Sequence, residues 1–369
     1  MGICKLCKKE SKEIADSLSL CRDCILENPE KALEIAKESH ELFRMKFGLS
    51  KLSVLTQSKG LECNLCGNKC KIKKGEKGFC GLVENRNGKL EREKDLICSY
   101  YFDPLPTNCV SSWVCAASGK GYPKFSYSKG DEYGYKNLAV FCIGCNFDCL
   151  FCQNWHFKLD LARKPIVRDE EFLRVIDDKT SCICFFGGDP SPQLDKIVRI
   201  CKLLQENFST RILRFCLETN GNSNPKLLKK FAELAFSSGG TIKFDLKFWN
   251  ETLNIAITGT SNKLSFKNFE SLAGLHEKRR EVPLLVASTL MIPGYVTLTE
   301  IKEIASFIAS LNEDIPYALL AFYPEFEMKD LPFTSLDFAL KAKKIAEKCG
   351  LRNVKIGNWH LLTSSGCVQ

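Results

Sequence analysis

The chain has few of the features that mark membrane or secreted proteins. No apolar run among its 369 residues reaches the roughly 18 residues that a bilayer-spanning helix needs. The opening residues pass directly into cysteines and lysines, so we expect no signal peptide. His, Met and Trp occur only four times each, and we find no low-complexity tract or fixed-period repeat. These absences predict a cytoplasmic protein without a membrane partner.

Cysteine, in contrast, is abundant, with 21 in the chain. A secreted protein with so many would be a small disulfide scaffold, but this chain is long and 44% of its residues are hydrophobic. In the reducing cytosol, clustered cysteines indicate metal or iron–sulfur ligation. The formal net charge of +9 permits an acidic or nucleic-acid partner without arguing for one.

Composition divides the chain into four regions. They are a zinc-ribbon-like segment, a helical linker, a cysteine-rich knuckle with loops, and a barrel domain, over residues 1–27, 28–58, 59–130 and 131–369. In the linker, Asn28 suits the N-cap of a helix, Pro29 its first position and Gly48 its end. The periodicity of that helix predicts one apolar face that packs on another part of the protein.

Strand and helix patterns alternate through the last region. β-rich runs are predicted at 138–142, 182–186, 211–217, 241–246, 284–290, 317–322 and, more weakly, 353–356. Helical periodicity is predicted at 169–178, 191–208, 225–237, 262–279, 299–311 and 335–349. This alternation indicates a parallel α/β sheet. Because six or so βα units are fewer than the eight of a closed barrel, we predict a partial (βα)6 TIM-like barrel.

Chemically distinctive residues follow one predicted strand after another. They are Cys145, Cys149 and Cys152; Gly187, Gly188, Asp189 and Pro190; Glu218, Thr219 and Asn220; Asp245 and Lys247; 291–295; and 323–325. In parallel α/β folds the carboxyl ends of the strands carry the active site. Six successive groups at one edge of the sheet therefore predict a single site there.

The central motif is Cys-x3-Cys-x2-Cys at Cys145, Cys149 and Cys152. Three thiolates at this spacing can hold a [4Fe–4S] cluster and leave one iron open for a substrate, since such a cluster normally takes four cysteines. The alternatives are buried core thiols or a zinc knuckle. Cys142 would form a further Cys-x2-Cys pair, but it falls inside an apolar run and we assign it to the strand.

The motif resembles that of the radical S-adenosylmethionine (SAM) superfamily. The Gly-Gly-Asp-Pro, Glu-Thr-Asn, Asp-Leu-Lys and Ile-Pro-Gly-Tyr motifs, beginning at Gly187, Glu218, Asp245 and Ile292, resemble its activating-enzyme branch, typified by pyruvate formate-lyase activating enzyme. The segment from residue 63 to residue 80 is more distantly similar to radical enzymes encoded with AMMECR1- and Memo-type proteins. The likeness covers roughly residues 138–362.

The resemblance implies cofactors and residue roles. It implies a [4Fe–4S] cluster on the three cysteines and SAM bound by Phe151, Gly187, Gly188, Asp189, Pro190, Glu218, Thr219 and Asn220. Phe151 is expected near the adenine, and Asp245 and Lys247 are the candidate catalytic residues. In glycyl-radical activating enzymes, an Asp at the position of Glu218 and a Met at that of Lys243 help form a cation site. Here the Lys243 ammonium can replace the cation, so we predict no monovalent ion.

Asp245 and Lys247 raise a geometric question of their own. If Asp245 points into the barrel, we expect Lys247 to join it at the site from the loop beyond the strand. The alternative is an internal salt bridge within the sheet. The strand-end position favours the active-site interpretation.

The resemblance also implies a reaction. The cluster would donate one electron to SAM, and the resulting 5′-deoxyadenosyl radical would abstract hydrogen from a substrate, with a ferredoxin- or flavodoxin-type protein as reductant. We expect a protein or peptide substrate, with glycyl-radical enzyme activation as the narrow version. One alternative is RNA or nucleoside modification. Another is a non-catalytic zinc-ribbon protein that binds nucleic acid or acts as a scaffold.

Two more cysteine sets have metal-ligand spacing. Two Cys-x2-Cys knuckles, formed by Cys4, Cys7, Cys21 and Cys24, predict a structural tetrahedral zinc site. A second set fits either zinc or an auxiliary [4Fe–4S] cluster, and comprises Cys63, Cys66, Cys70 and Cys80. Local packing or a third, incomplete site is expected for Cys98, Cys109 and Cys115. Small core hydrophobes are expected at Cys182, Cys184, Cys201, Cys216 and Cys349. We expect surface or packing roles for His40 and His276.

Overall fold

The computed structural model describes residues 1–51, 59–279 and 281–363. The end of the predicted linker, residues 52–58, lies outside the described residues. The helices are α1 (Arg22–Glu27), α2 (Pro29–Lys46), α3 (Phe157–Arg163), α4 (Asp169–Val175), α5 (Leu194–Asn207), α6 (Pro225–Ser238), α7 (Glu251–Thr258), α8 (Lys263–Glu277), α9 (Leu298–Leu311) and α10 (Leu336–Lys348). None of the described helices is long and apolar enough to cross a membrane.

The strands are β1 (Gly2–Ile3), β2 (Glu10–Ser11), β3 (Leu61–Glu62), β4 (Lys71–Ile72), β5 (Glu84–Arg86), β6 (Lys89–Glu91), β7 (Leu96–Pro104), β8 (Lys136–Cys142), β9 (Ile166–Val167), β10 (Thr180–Gly187), β11 (Arg214–Thr219), β12 (Ile242–Asp245), β13 (Leu285–Met291), β14 (Tyr317–Ala321) and β15 (Val354–Gly357). Within the described ranges, one sheet has nine strands in the order β15-β14-β13-β12-β11-β10-β8-β7-β9. The small hairpins β1–β2, β3–β4 and β5–β6 lie outside it.

The large sheet is an open, partial barrel. Neighbours from β8 through β15 run parallel, whereas β7 is antiparallel to β8 and β9 is antiparallel to β7. The parallel strands follow chain order, as βα units wound in one direction require. The predicted α/β class with an N-terminal cysteine cluster is confirmed, and each predicted strand is present within a few residues.

Four elements of the sheet region were not predicted, and one of them is the two-residue strand β9. Strand β7 lies in the segment assigned to loops, because only its first three residues are fully buried and the alternation then weakens. Helices α3 and α7 span seven and eight residues, too few for a clear helical period. Since β7 pairs with β8 across residue 131, the large sheet continues past the proposed boundary between the knuckle region and the barrel.

Side chains along each strand point alternately to the helical layer and to the barrel interior. In β10, Ile183 and Phe185 face the helices, and the Phe185 ring lies 6.4 Å from that of Phe231 on α6 at nearly a right angle. Cys182 and Cys184, on the opposite face, line the barrel interior. The helical layer supplies the hydrophobic core, and the interior face is left for polar and thiol groups.

The Tyr295 side chain links the N-terminal region to the barrel through two hydrogen bonds. The Tyr295 hydroxyl, in the loop after β13, donates to the Leu20 carbonyl and accepts the Ala15 N–H, each at 3.0 Å. Helix α2 begins at Pro29 as predicted, but the side chain of its N-cap residue Asn28 makes no capping hydrogen bond. Tyr295 therefore joins the N-terminal segment to the barrel instead of lining the predicted site.

A buried histidine makes the fold sensitive to acid. His276 is 5% exposed, and its Nδ1 accepts the Leu285 N–H at 3.2 Å. Burial, with a smaller effect of Arg279, lowers the pKa of His276 to about 4, against about 6.5 in an unfolded chain. Between these values the unfolded chain binds a proton that the folded one does not, so stability falls as the pH falls.

We expect this group to remove about 2 kcal/mol of the unfolding free energy between pH 7 and pH 5. His276→Asn keeps an acceptor near Nδ1 but does not titrate. Urea unfolding at pH 7 and pH 5 measures the fall in unfolding free energy between these values. We expect that fall to be smaller in the variant than in the wild type by about this amount. Equal drops in the two proteins would show that His276 is not the titrating group.

Candidate active site

A cavity of about 240 Å³ opens at the carboxyl ends of the parallel strands. Its lining includes predicted residues from four successive strand ends, namely Cys145, Cys149, Phe151, Cys152, Gly187, Gly188, Asp189, Glu218, Thr219, Asn220, Asp245 and Lys247. Strands β13 and β14 contribute Ser288, Leu290 and Leu320. Of the described residues predicted for the site, Pro190 is not among those that line the cavity. Four of the six predicted strand-end groups thus line one cavity, whereas residues 291–295 and 323–325 do not line it.

The three cysteines lie on a loop between β8 and α3. The loop is held against α7, because the Asp148 and Leu150 N–H groups donate to the Thr258 and Ile257 carbonyls at 2.8 and 3.1 Å. The three sulfurs do not all lie within 4.8 Å of one another. That spacing is too wide for one tetrahedral ion, and it suits a cluster in which each thiolate binds a different iron.

Burial raises the pKa values of these thiols. For Cys149 burial raises the pKa to about 12, although the nearby Lys247 ammonium acts in the opposite direction. Burial likewise raises the pKa values of Cys145 and Cys152. A bound metal centre reverses this balance, since its positive charge deprotonates a coordinating thiol.

Asp148, within the cysteine motif, is clamped by three basic side chains. Its carboxylate accepts from Lys158 Nζ and from His40 Nδ1, the latter at 3.0 Å, and Arg44 NH1 lies 3.7 Å away. The Asp148, Lys158 and Arg44 side chains are each 3% exposed. The expected surface or packing role of His40 is therefore incomplete, because His40 and Arg44 on α2 fix the cysteine loop.

Two glycines let the β10 end approach that loop. Gly187 has φ +112°, and a Cβ there would lie 2.7 Å from the Cys142 nitrogen. A Cβ on Gly188 would lie 2.4 Å from the Gly144 oxygen. Backbone therefore packs directly on backbone at these positions, and a side chain at either would displace the cysteine loop.

Asp189 joins two strand ends. Its carboxylate accepts the Ser191 N–H at 2.8 Å, the Asn220 N–H at 2.7 Å and the Thr219 hydroxyl at 3.1 Å. Burial raises the pKa of Asp189, and these donors act in the opposite direction. The carboxylate is engaged by protein donors, so it positions the loops after β10 and β11.

Glu218 and Lys243 form an ion pair on adjacent strands, where they are directly opposite in register. Lys243 Nζ also lies 2.9 Å from Cys109 Sγ and 3.6 Å from Cys184 Sγ. Despite burial, which lowers it, the pKa of Lys243 is raised by Cys109, Cys184 and Glu218. The ammonium thus occupies the position next to Glu218 where the resemblance suggested a replacement for a cation.

Asp245 and Lys247 form a second ion pair at the cavity. Strand β12 ends at Asp245, so Lys247 lies beyond it and reaches the same side. Lys247 Nζ lies 5.3 Å from the centre of the Phe151 ring. Asp245 Oδ1 is buried and has no hydrogen-bond partner among the described residues. An unpaired carboxylate oxygen in a cavity is an acceptor available to a ligand.

The cysteines of the N-terminal segment have a different geometry. The sulfurs of Cys4, Cys7, Cys21 and Cys24 all lie within 4.8 Å of one another. Zn–S bonds of about 2.3 Å place tetrahedral thiolates about 3.8 Å apart, and Cys7 Sγ and Cys21 Sγ are separated by 3.7 Å. Although burial acts against it, backbone N–H donors lower the pKa of Cys4 to about 6. This set can hold a single tetrahedral ion.

A second cavity, of about 290 Å³, lies deeper in the barrel and was missed in the sequence. Five cysteines line it, namely Cys109, Cys115, Cys182, Cys184 and Cys216. Three of them were expected to be simple core residues. The sequence signal was their alternation on the strand face that also carries Glu218 and Lys243, and those two residues line both cavities.

Comparison with known proteins agrees with this geometry. Residues 140–308 match the model of the Radical SAM superfamily. The chain carries a radical SAM domain. That domain includes the cysteine loop and the strand ends from β10 to β13, which form most of the cavity lining.

Several proteins are similar to this chain over a larger part of its length. "Uncharacterized protein MJ0808" of Methanocaldococcus jannaschii is 24% identical over 310 residues, covering 81% of each chain. Another protein of that organism, MJ1632, is named provisionally as a glycyl-radical enzyme activating enzyme. It is 29% identical over 216 residues, which cover 57% of this chain and 77% of the relative.

Solved structures show weaker similarity to this chain. Streptococcus suis SuiB bound to S-adenosylmethionine has a TM-score of 0.43 and 15% identity over 60% of this chain, which spans 48% of the SuiB chain. A domain of pyruvate-formate lyase-activating enzyme from Bacteroides vulgatus has a TM-score of 0.39 and 20% identity, covering 47% of this chain and 98% of that domain.

The residues present fit the cofactors of a radical SAM domain. The cavity is lined by the three half-buried thiols of the cysteine loop and by Asp245, whose Oδ1 atom is unpaired among the described residues. The residues that would hold SAM are those of the strand ends, above all Gly187, Gly188 and Asn220. Lys243 next to Glu218 supplies a positive charge at the same edge.

Proposed function

We propose that the protein is a radical SAM enzyme that abstracts hydrogen from a protein or peptide substrate. The observation that carries the proposal is the convergence of the three loop cysteines and the predicted SAM-binding strand ends on one cavity. When bound there, a [4Fe–4S] cluster supplies the electron that cleaves SAM to methionine and a 5′-deoxyadenosyl radical. A ferredoxin- or flavodoxin-type protein would supply that electron.

The protein's own residues would bind and orient SAM and the substrate, and they would exclude water from the site. Asp189 positions the loops after β10 and β11, and Asp148 with its basic partners fixes the cysteine loop. Asp245 offers a free acceptor oxygen to a bound molecule, and Lys247 offers a buried ammonium beside Phe151. We assign both to the reaction site, where they would orient SAM or substrate. Apolar walls from Phe151, Leu290 and Leu320 limit access of water to a reactive radical.

A protein or peptide substrate is supported by the relatives. MJ1632 is provisionally named as an activator of a glycyl-radical enzyme, and activation of such an enzyme is the narrow form of the proposal. The cysteines of the described residues are free, which suits the reducing cytosol as the place of action. The zinc-ribbon-like segment would serve as a structural part of the enzyme.

The substrate class can be tested by label transfer to 5′-deoxyadenosine. Anaerobically reconstituted protein, reductant and SAM would be incubated with a perdeuterated protein pool or a perdeuterated RNA pool, both from the organism that carries the gene. We expect mass spectrometry to find deuterium in 5′-deoxyadenosine with the protein pool alone. Digesting that pool with protease before the reaction should remove the transfer if a folded substrate is required. Transfer from RNA alone would replace the proposal by nucleoside modification.

A further inference from the structure

Cys63, Cys66, Cys70 and Cys80 are all buried beside the active site, and their spacing indicates which metal they hold. No three of these sulfurs lie within 4.8 Å of one another, whereas all four sulfurs of the N-terminal set do. A single zinc ion requires the tighter arrangement, because all its thiolates bind one atom. A four-iron cluster separates its thiolates, because each binds a different iron. Like the active-site cysteines, this set is therefore wider than a single zinc ion requires.

The four cysteines lie in one short buried segment. Cys63 and Cys70 pack in one hydrophobic cluster with Ile72, Phe79 and Val83, and Cys80 directly follows Phe79. The Cys63 N–H donates to the Cys70 carbonyl at 2.8 Å across the β3–β4 hairpin. Cys66 lies in the turn of that hairpin, and all four cysteines are buried.

This knuckle is attached directly to the active-site loops. Asn68 Nδ2 donates to the Asn146 carbonyl at 2.7 Å, and Asn146 lies inside the cysteine loop. Asn222, just after β11, donates through Nδ2 to Asn68 Oδ1 at 2.6 Å and accepts the Gly67 N–H through its carbonyl at 3.0 Å. A Cβ on Gly67 would lie 1.9 Å from Asn222 Oδ1. The two cysteine sets are therefore held in a fixed relation by buried hydrogen bonds.

The space between the two sets is apolar. Cys80 belongs to a hydrophobic cluster that also contains Cys145 and Cys152, with Leu82, Ile97, Ile143, Phe157, Phe141 and Leu161. A Cβ on Gly144 would lie 2.7 Å from Leu82 Cδ1 and 3.3 Å from the Cys80 carbonyl oxygen. Ligands of the two sets thus pack in one water-poor cluster.

A buried cation lies between the sets. Arg44 donates to the Ser50 and Phe79 carbonyls at 2.8 and 2.7 Å, and its guanidinium lies 3.9 Å from the centre of the Phe79 ring. Burial lowers the pKa of Arg44, and the Asp148 carboxylate raises it. Arg44 NH1 also lies 3.7 Å from the Asp148 carboxylate, so Arg44 contacts both the cysteine loop and Phe79, which precedes Cys80. Two anionic clusters placed close together repel each other, and a cation between them reduces that repulsion.

From this arrangement we infer that Cys63, Cys66, Cys70 and Cys80 hold a second [4Fe–4S] cluster, and that it relays electrons to the cluster at Cys145, Cys149 and Cys152. The relay rests on the proposed function, but the second cluster does not. A one-electron donor of the ferredoxin or flavodoxin class reduces the knuckle cluster by one electron. That cluster returns to its resting state by passing the electron on, and no bond forms or breaks in the protein.

Metal analysis tests the second cluster without any need for catalysis. We expect the anaerobically reconstituted full chain to bind about eight iron and eight sulfide and about one zinc. Cys66→Ser/Cys70→Ser and Cys149→Ser/Cys152→Ser should each lose about four iron and keep the zinc. Loss of one zinc with iron unchanged in the knuckle variant would overturn the inference. Circular dichroism and thermal unfolding, compared with the wild-type protein, report whether each variant has folded.

Spectroscopy on the unaltered protein provides an independent check that needs no variant. On reduction, electron paramagnetic resonance should show two [4Fe–4S] signals, of which SAM alters only one. A single cluster signal that SAM alters completely would contradict a second cluster. This result would leave SAM cleavage intact, so failure of the inference is distinguishable from failure of the proposed function.

The relay is tested by the rate at which the SAM-sensitive signal forms. With reduced flavodoxin as donor, we expect that rate to fall at least about tenfold in Cys66→Ser/Cys70→Ser. With dithionite, a small donor that enters the cavity directly, the signal should still form in the same variant. Equal rates with flavodoxin in the two proteins would show that the knuckle cluster does not relay electrons.

Discussion

Replacing Cys149 by serine is expected to reduce SAM cleavage to the background of the assay. Cys149 is one of three thiols at the cavity, and a serine hydroxyl is a much poorer ligand for iron than a thiolate. With two thiolates left, the loop no longer holds a cluster that can pass an electron to SAM. The measurement is 5′-deoxyadenosine formed by anaerobically reconstituted protein under strong reductant.

The matched control is Cys349→Ser. Cys349 follows α10, is half-buried and lies 3.4 Å from the Ser306 hydroxyl, so a serine there keeps a polar partner. We expect wild-type cleavage in this variant. Cleavage that survives in Cys149→Ser, or that is absent from wild-type protein carrying its full iron content, would contradict the proposed enzyme.

The second large effect is expected at a buried ion pair whose Arg214 side lines the second cavity. Arg214 on β11 donates to both Glu132 carboxylate oxygens, at 2.8 and 2.6 Å, and the Arg214 and Glu132 side chains are 2% and 0% exposed. Despite burial, which raises it, the pKa of Glu132 is lowered by Arg214. Glu132 also accepts the Tyr127 N–H at 2.8 Å, so the pair fastens the segment around residues 125–132 to the sheet.

Arg214→Met leaves the Glu132 charge buried without its partner, which typically costs about 3–5 kcal/mol. We expect the unfolding free energy to fall by that amount in urea denaturation of protein with matched metal content. In the double variant Arg214→Met/Glu132→Leu no charge remains, so most of the loss should be recovered. A double variant as unstable as the sum of the two single variants would show that the pair is not coupled.

The strands and the position of the site could be predicted because both depend on short, contiguous stretches of sequence. Runs of five to seven residues in the sequence mark β8 and β10 to β14, and the distinctive residues stand directly at their ends. The Glu218–Lys243 pair was likewise accessible, since parallel neighbours bring equivalent positions together. Strand β7 was not, because its burial depends on β8 and β9 and not on its own alternation.

Contacts between distant segments could not be predicted. His40 lies 108 residues from Asp148 in the chain, and nothing in either local sequence indicates their hydrogen bond. The same holds for the second cavity, where Cys109 from a loop meets Cys184 from a strand around the Lys243 ammonium. From its local sequence alone, each of these cysteines is interpreted as a small apolar core residue. Only the folded chain shows that they share a cavity with a buried cation.

The contact of Tyr295 with Ala15 joins residues 280 positions apart, and this separation constrains the order of events during synthesis. At roughly 5–20 residues per second, Tyr295 leaves the ribosome on the order of 15 to 60 seconds after Ala15. During that interval the N-terminal segment has no barrel to pack on, and it is too short to bury a core of its own. A metal ion bound by its four cysteines would let it fold ahead of the barrel. The cysteine-bearing segment would then be folded before Tyr295, which is part of its docking site, is synthesised.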